Sequence, residues 1–266
     1  MTMIIFNKNF SRKYLIAALV AANFSTINIA LADEHAGMHA EHHVNEQEEE
    51  HMHDHGDNPV LTKVMFDQLE LREHDGEHSS VIDAQAWIGK DVDKIWLKLD
   101  VEKFSGDIQE TEVQALYSRA IAPYWDLQIG VRSDLKPEPT TNWGVLGVQG
   151  LAPYFFEVDA ALFVSESGDT AARVSAEYDL LFTQKLILSP EVEFNFYGQS
   201  NNEKMIGSGL ADANASLRLR YEIYRELAPY IGINWGKKFD RTEDFARASG
   251  ESGGETEWVL GLRAWF

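Results

Sequence analysis

From Val60 to the C-terminus the chain alternates apolar and polar residues with a period of two, one segment after another. That period belongs to strands with one greasy and one polar face, and an amphipathic helix cannot use it. In Lys94–Glu102 the residues Ile95, Leu97, Leu99 and Val101 fall on one side, and Lys98, Asp100 and Glu102 on the other. Arg173–Leu180, Glu191–Phe196 and Ser216–Ile223 repeat the pattern. Met65, Val81, Ile95, Val113, Leu127, Leu146, Val158, Val174, Val192, Leu217, Ile233 and Leu260 mark twelve successive strands, with ten as the alternative if two segments are misread. About 207 residues over twelve strands leave about 17 for each strand and its connection, against roughly 9 to 11 for a membrane-spanning strand.

Alternation alone does not decide between water and lipid, because a soluble sandwich or barrel also has one apolar face. Three features point to lipid. The chain ends Trp258-Val259-Leu260-Gly261-Leu262-Arg263-Ala264-Trp265-Phe266, an alternating strand with a terminal aromatic, similar to the C-terminal signal of outer-membrane barrels. Aromatics collect at strand ends, as in Tyr124-Trp125, Tyr154-Phe155-Phe156 and Tyr230, where an interfacial girdle belongs. The N-terminus supplies the third feature, an export signal. The expected fold is therefore all-β, a transmembrane antiparallel up-and-down β-barrel over 60–266, placed in the outer membrane and in contact with its lipid.

A short repeat fits this topology. Ile121-Ala122-Pro123-Tyr124, Leu151-Ala152-Pro153-Tyr154 and Leu227-Ala228-Pro229-Tyr230 each stand between alternating segments and read as short periplasmic turns, where proline needs no ladder donor. Longer polar connections, His74–His78, Ser165–Asp169, Gly198–Gly209 and Phe239–Gly254, read as outer loops.

Residues 1–32 carry Lys8, Arg12 and Lys13, an apolar run Tyr14–Ala22 and the small-residue ending Ala30-Leu31-Ala32. They read as a secretory signal peptide, with the mature chain beginning at Asp33 and a retained anchor as the alternative. Beyond the signal no window approaches the roughly twenty consecutive apolar residues of a transmembrane helix. Residues 33–59 have no aromatic and one β-branched residue, Val44, so they cannot build a core and are expected to be a disordered arm in the periplasm.

The formal charge of −20 excludes nucleic acid as a partner, because a polyanion would be repelled. Cysteine is absent, which removes thiolate metal sites and cysteine nucleophiles. Metal ligands must then be His, Met or carboxylate. Seven of the nine histidines lie in the arm, as His35, His39, His42, His43, His51, His53 and His55, beside Met38, Met52 and nine acidic residues. This is a metal-binding composition. Imidazole suits Cu(II), Zn and Ni, while thioether sulfur selects Cu(I), so the pairing of Met with His tilts the donor set towards copper ions. A plain solvated acidic tail is the bland alternative. Cleavage after Ala32 would create Asp33-Glu34-His35, whose amine, backbone nitrogens and imidazole suit a square-planar Cu(II) or Ni(II) site.

The polar face of the barrel offers Glu70, Asp83, Asp100, Glu102, Glu112, Asp126, Glu157, Asp159, Glu177, Asp179, Glu191, Glu193 and Glu222, against Arg72, Lys98, Arg132, Arg173, Arg218, Arg220 and Arg263. Such a lumen reads first as a paired polar core and second as a cation-attracting passage. His74 and His78 are either a second metal site or ordinary loop polarity. An enzyme is not expected: an outer-membrane esterase needs a Ser with a His base at the rim, no histidine follows His78, and the paired carboxylates have structural explanations.

From about Met65 to Phe266 the chain resembles the copper resistance protein B family. The resemblance is carried by Met65–Glu70, Trp87-Ile88-Gly89, Ala115–Pro123, Gly147–Tyr154 and Leu217–Ile223. It implies an outer-membrane protein of a periplasmic copper resistance system, with copper as ligand and periplasmic copper-handling proteins as partners. In that family the N-terminal segment is often rich in Met and His; here it is short and holds more His than Met. The expected function is to bind copper and sequester it or assist its movement across the outer membrane. The alternative is a porin-like or structural barrel with incidental metal binding.

Overall fold

The structure, a computed structural model, describes residues 59–266 apart from Glu251. The expected signal peptide (1–32) and all of the expected arm (33–59) except Pro59 lie outside these residues.

The strands are β1 (Leu61–His74), β2 (Glu77–Gly89), β3 (Asp93–Phe104), β4 (Asp107–Ala122), β5 (Trp125–Lys136), β6 (Thr141–Ala152), β7 (Phe156–Ser165), β8 (Thr170–Glu177), β9 (Leu180–Leu181), β10 (Leu186–Tyr197), β11 (Gly209–Tyr221), β12 (Leu227–Lys238) and β13 (Gly254–Trp265). A helix, α1 (Asp240–Ala248), precedes β13. Every ladder is antiparallel to a neighbour in sequence, and β13 pairs with β1 to close the barrel. The seam is finished by the last residue, since Phe266 N–H donates to Val64 O at 2.9 Å and Val64 N–H to Phe266 O at 3.0 Å.

β8 and β9 are two pieces of one stave, both laid against β10. The interruption faces Pro190, which has no N–H to give to the ladder. Counted this way the barrel has twelve staves, each holding one of the twelve sequence markers.

Burial is inverted relative to a soluble barrel. Leu97, Ile129, Leu162 and Leu260 are exposed on the outside, while Glu70, Glu112, Arg132 and Arg218 are buried inside. Period-two alternation thus turns its apolar face to lipid and its polar face to the lumen, and closure leaves no open sheet edge to meet hydrocarbon. The lumen is not wholly polar: Trp96, Leu116, Trp143, Val145 and Phe163 form a buried inner cluster.

The two ends differ. The end that bears both described termini has short connections, and exposed Tyr124, Tyr154, Phe155, Phe182, Tyr224 and Phe266 ring it. Short turns and an aromatic girdle mark the periplasmic end of such barrels. Pro123 and Pro153 lie in these turns as expected, but Pro229 does not: it sits in β12 opposite Leu262, just before the β11 ladder begins at Tyr230. Tyr230 is no girdle residue either, being 4% exposed inside the barrel.

At the other end the first two connections are tight turns, Asp75-Gly76 and Ser105-Gly106, with positive φ at both residues of each. Such a turn matches the twist of a hairpin. His74–His78 is therefore two strand ends and a two-residue turn, and not a long loop. The 198–208 and 239–253 connections are long, and the second holds α1.

Candidate functional site

The lumen is built by register. Asp83 pairs with Asp100, Asp100 with Glu112 and Glu112 with Asp134, so four carboxylates stand in one row across β2, β3, β4 and β5. Glu102 faces Glu110 one step nearer the outer end. A row of like charges this close is destabilising unless cations answer it. They come from other walls. Arg173 on β8 donates to both oxygens of Glu112, at 3.1 and 2.9 Å, and Arg132 adds a 2.8 Å ion pair. Both guanidinium groups lie over the Phe163 ring, at 4.7 Å for Arg132 and 5.9 Å for Arg173.

A second node surrounds Glu70, which accepts from Arg72 and Arg218 at 2.7 Å and from the Tyr230 hydroxyl at 3.0 Å. Tyr230 reaches it by lying over Gly261, its cross-strand partner, where a Cβ would be 2.6 Å from the hydroxyl oxygen. Glu257 joins this node through Arg72, Ser79 and Asn234, and Arg218 also holds Glu191. Nearer the periplasm Lys98 holds Asp159 at 2.9 Å, Lys94 holds Asp126 at 3.3 Å, Arg263 holds Asp67 at 3.2 Å, and Arg220 holds Asp179.

Most lumen carboxylates expected from sequence are thus ion-paired, and the exceptions are specific. Among the described residues no side chain gives an ion pair or hydrogen bond to Asp83, Asp100, Glu102 or Glu157, and Asp83, Asp100 and Glu157 line a cavity of about 450 Å³. Glu222 belongs to the turn after β11, not to a stave. Sequence reading missed Asp67 and Glu257, whose ion-pair partners Arg263 and Arg72 are distant in the chain, and Asp134, which pairs with Arg132 two residues away.

A lysine also reaches the lumen wall from the outer end. Asn201 and Ile206 exchange backbone hydrogen bonds at 2.8 and 2.9 Å, making a small finger within the β10–β11 connection, and Asn201 Oδ1 accepts from the Glu203 and Lys204 amides. Lys204, near its tip, lies 3.9 Å from Asp134, its side chain 6% exposed. Burial lowers the Lys204 ammonium below the usual lysine range, and Asp134 opposes that shift.

His74 and His78 are not brought together. Glu73 is opposite His78 and His74 opposite Glu77, so the two imidazoles lie on opposite faces of the hairpin, with His74 Nδ1 2.8 Å from Thr256 O. No cluster of three His, Asp or Glu suited to a metal occurs among the described residues. The candidate ligands His35, Met38, His39, His42, His43, His51, Met52, His53 and His55 all lie outside them.

A family model described as "Copper resistance protein B precursor (CopB)" matches residues 60–266. The chain belongs to the copper resistance protein B family. It is 42% identical over 210 residues to the copper resistance protein B of Escherichia coli, covering 79% of this chain and 71% of that one. A copper resistance protein B homolog of Pseudomonas syringae pv. tomato is 39% identical over the same length and shares. Among solved structures the NanC porin superposes with a TM-score of 0.52 at 11% identity, covering 77% of this chain and 99% of the porin. The KdgM porin gives 0.50 at 12% identity, over 77% and 99%. These low identities show the fold alone. A lipid-facing closed barrel in a copper resistance protein B family member is an outer-membrane protein with a role in copper resistance. The family points to a non-enzymatic role.

Proposed function

We propose that this copper resistance protein B family member binds copper through the 33–59 arm and sequesters it or assists its movement across the outer membrane. The family match over residues 60–266 carries the copper role, and the seven histidines and two methionines of the arm support its assignment there. The division of labour follows from chemistry. Imidazoles in a segment without a core can gather around an ion, whereas a lumen carboxylate held by an arginine must break a buried pair to do so. His35, His39, His42, His43, His51, His53 and His55 supply nitrogen donors, and Met38 and Met52 supply sulfur for Cu(I). Periplasmic copper-handling proteins are the partners from which such an arm would receive its ion.

The second reading, a porin-like or structural barrel with incidental metal binding, is favoured by the ion pairs that occupy the lumen. Deleting residues 33–57 separates the two. Copper tolerance should fall while heat-modifiable barrel stays in the outer membrane. Unchanged tolerance with normal assembly would sink the arm as the functional element.

A further inference from the structure

The lumen holds a cavity of about 450 Å³, lined by Gly150, Leu151 and Glu157 towards the periplasmic turns and by Glu112, Phe163 and Arg173 farther out. Beside Glu112, and not among the residues that line the cavity, Arg132, Trp143 and Asp134 form a layer on neighbouring staves. Asp134 holds the layer together, accepting from Arg132 Nε at 2.6 Å and from Trp143 Nε1 at 2.9 Å. The Lys204 ammonium comes down on the same carboxylate from above.

Lys204 arrives from far round the barrel. Its loop leaves β10, which stands four staves from β5, the stave of Asp134. The finger therefore crosses the outer mouth. It is clasped on the far side by α1: Gly207 N–H donates to Thr242 Oγ1 at 2.9 Å, and Arg241 donates to Asn202 Oδ1 at 3.0 Å. Thr242 and Ala246, one turn apart on α1, are buried.

We propose that the 198–208 loop is a gate on the outer mouth of the lumen, latched by Lys204 on Asp134 and clasped by α1. Lys204 is its latch because a long, singly charged side chain on a preformed finger can leave the layer without unfolding a strand. The finger's other contacts are to α1, so opening parts the finger from that helix. Withdrawal takes away one of the three partners of Asp134 and uncovers the Arg132–Trp143 layer. The gate deepens the passage half of the proposed function and is independent of which cation passes.

The test is the potassium chloride conductance of the full mature chain refolded into planar bilayers, with no copper present. The native protein should open rarely. Lys204→Met keeps the apolar stem and removes the charge, and should raise the open fraction severalfold; deleting the tip, residues 202–205, should raise it further. Because the chain has no cysteine, Gly207→Cys with Arg241→Cys gives a single lockable pair. A Cβ at 207 would stand 2.8 Å from Thr242 N and 2.9 Å from the Arg241 Cβ, so the loop and α1 must part by about 1 Å. Since Arg241→Cys also removes the bond to Asn202, the oxidised variant is compared with its own reduced form. Oxidation should suppress the openings of that variant, and a reductant should restore them.

Equal conductance in the native protein, Lys204→Met and the tip deletion would overturn the gate. So would silence in all three, since the plug would then lie elsewhere. Openings in the tip deletion but native behaviour in Lys204→Met would overturn Lys204 as the latch. None of these outcomes bears on copper binding by the arm, so the two readings fail separately.

Discussion

Arg173 on β8 reaches across the lumen to Glu112 on β4, donating from both terminal nitrogens at 3.1 and 2.9 Å and tying together walls four staves apart. Neighbouring staves are joined by their ladders whatever the side chains do. This pair, with Arg132 on the same carboxylate, bridges walls that no ladder joins.

Glu112→Gln tests that role. It leaves two buried guanidinium groups facing a neutral amide, and breaking a buried pair from one side costs about 3–5 kcal/mol. The lower end is expected, because Arg132 keeps its 2.6 Å bond to Asp134. Urea unfolding in lipid vesicles, followed by tryptophan fluorescence, should show an earlier midpoint. An unchanged midpoint would mean that the cross-lumen pair adds nothing to stability.

Gly261 and Tyr230 should behave as one unit. A methyl group at Gly261 would strike the Tyr230 ring, and overpacking of this kind costs about 1–3 kcal/mol. Tyr230→Phe loses one hydrogen bond to a charged carboxylate, about 1.5–3 kcal/mol. Displacing the ring already breaks that bond, so Gly261→Ala with Tyr230→Phe should be less destabilised than the two single variants added together. Strict additivity in the same unfolding assay would disprove the coupling.

Removing Phe266 deletes both closing hydrogen bonds to Val64 and an exposed aromatic at the periplasmic rim. Unfolded chain should then accumulate in the periplasm. Outer-membrane fractions of the deletion strain that still contain normal heat-modifiable barrel would count against a role for the terminal residue in assembly.

The staves were legible because alternation is a local signal, and each of the twelve markers landed on its own stave. Alternation names a face but not a partner. Glu257 and Lys204 escaped notice because their ion-pair partners are distant in sequence. The apolar inner cluster was hidden for a related reason: Trp143 and Val145 have glycine and leucine between them and outside them, so β6 is apolar on both faces and shows no contrast. The third proline repeat misled because a proline just past the end of one ladder looks, in sequence, like one in a turn. The short helix α1 was read as loop, since nine residues inside a polar connection leave too few turns for a clear helical period.

The last prediction concerns the arm and its acid sensitivity. Replacing His35, His39, His42, His43, His51, His53 and His55 together by alanine should remove most tight copper binding by the mature protein, read by metal titration. Binding by the native arm should weaken as pH falls through about 6.5, because a protonated imidazole has no lone pair for the metal. The sign is fixed by competition: each bound imidazole must shed its proton, so acid opposes the metal and alkali favours it. Replacing Met38 and Met52 should weaken Cu(I) binding and leave Cu(II) binding nearly unchanged. If the seven-histidine variant held copper as tightly as the native protein, the donors would have to be elsewhere. Most lumen carboxylates are tied to arginine or lysine, and freeing one would strand a buried charge at a cost of several kcal/mol. Attention would then turn to Asp83 and Asp100, which face each other across β2 and β3 and line the cavity.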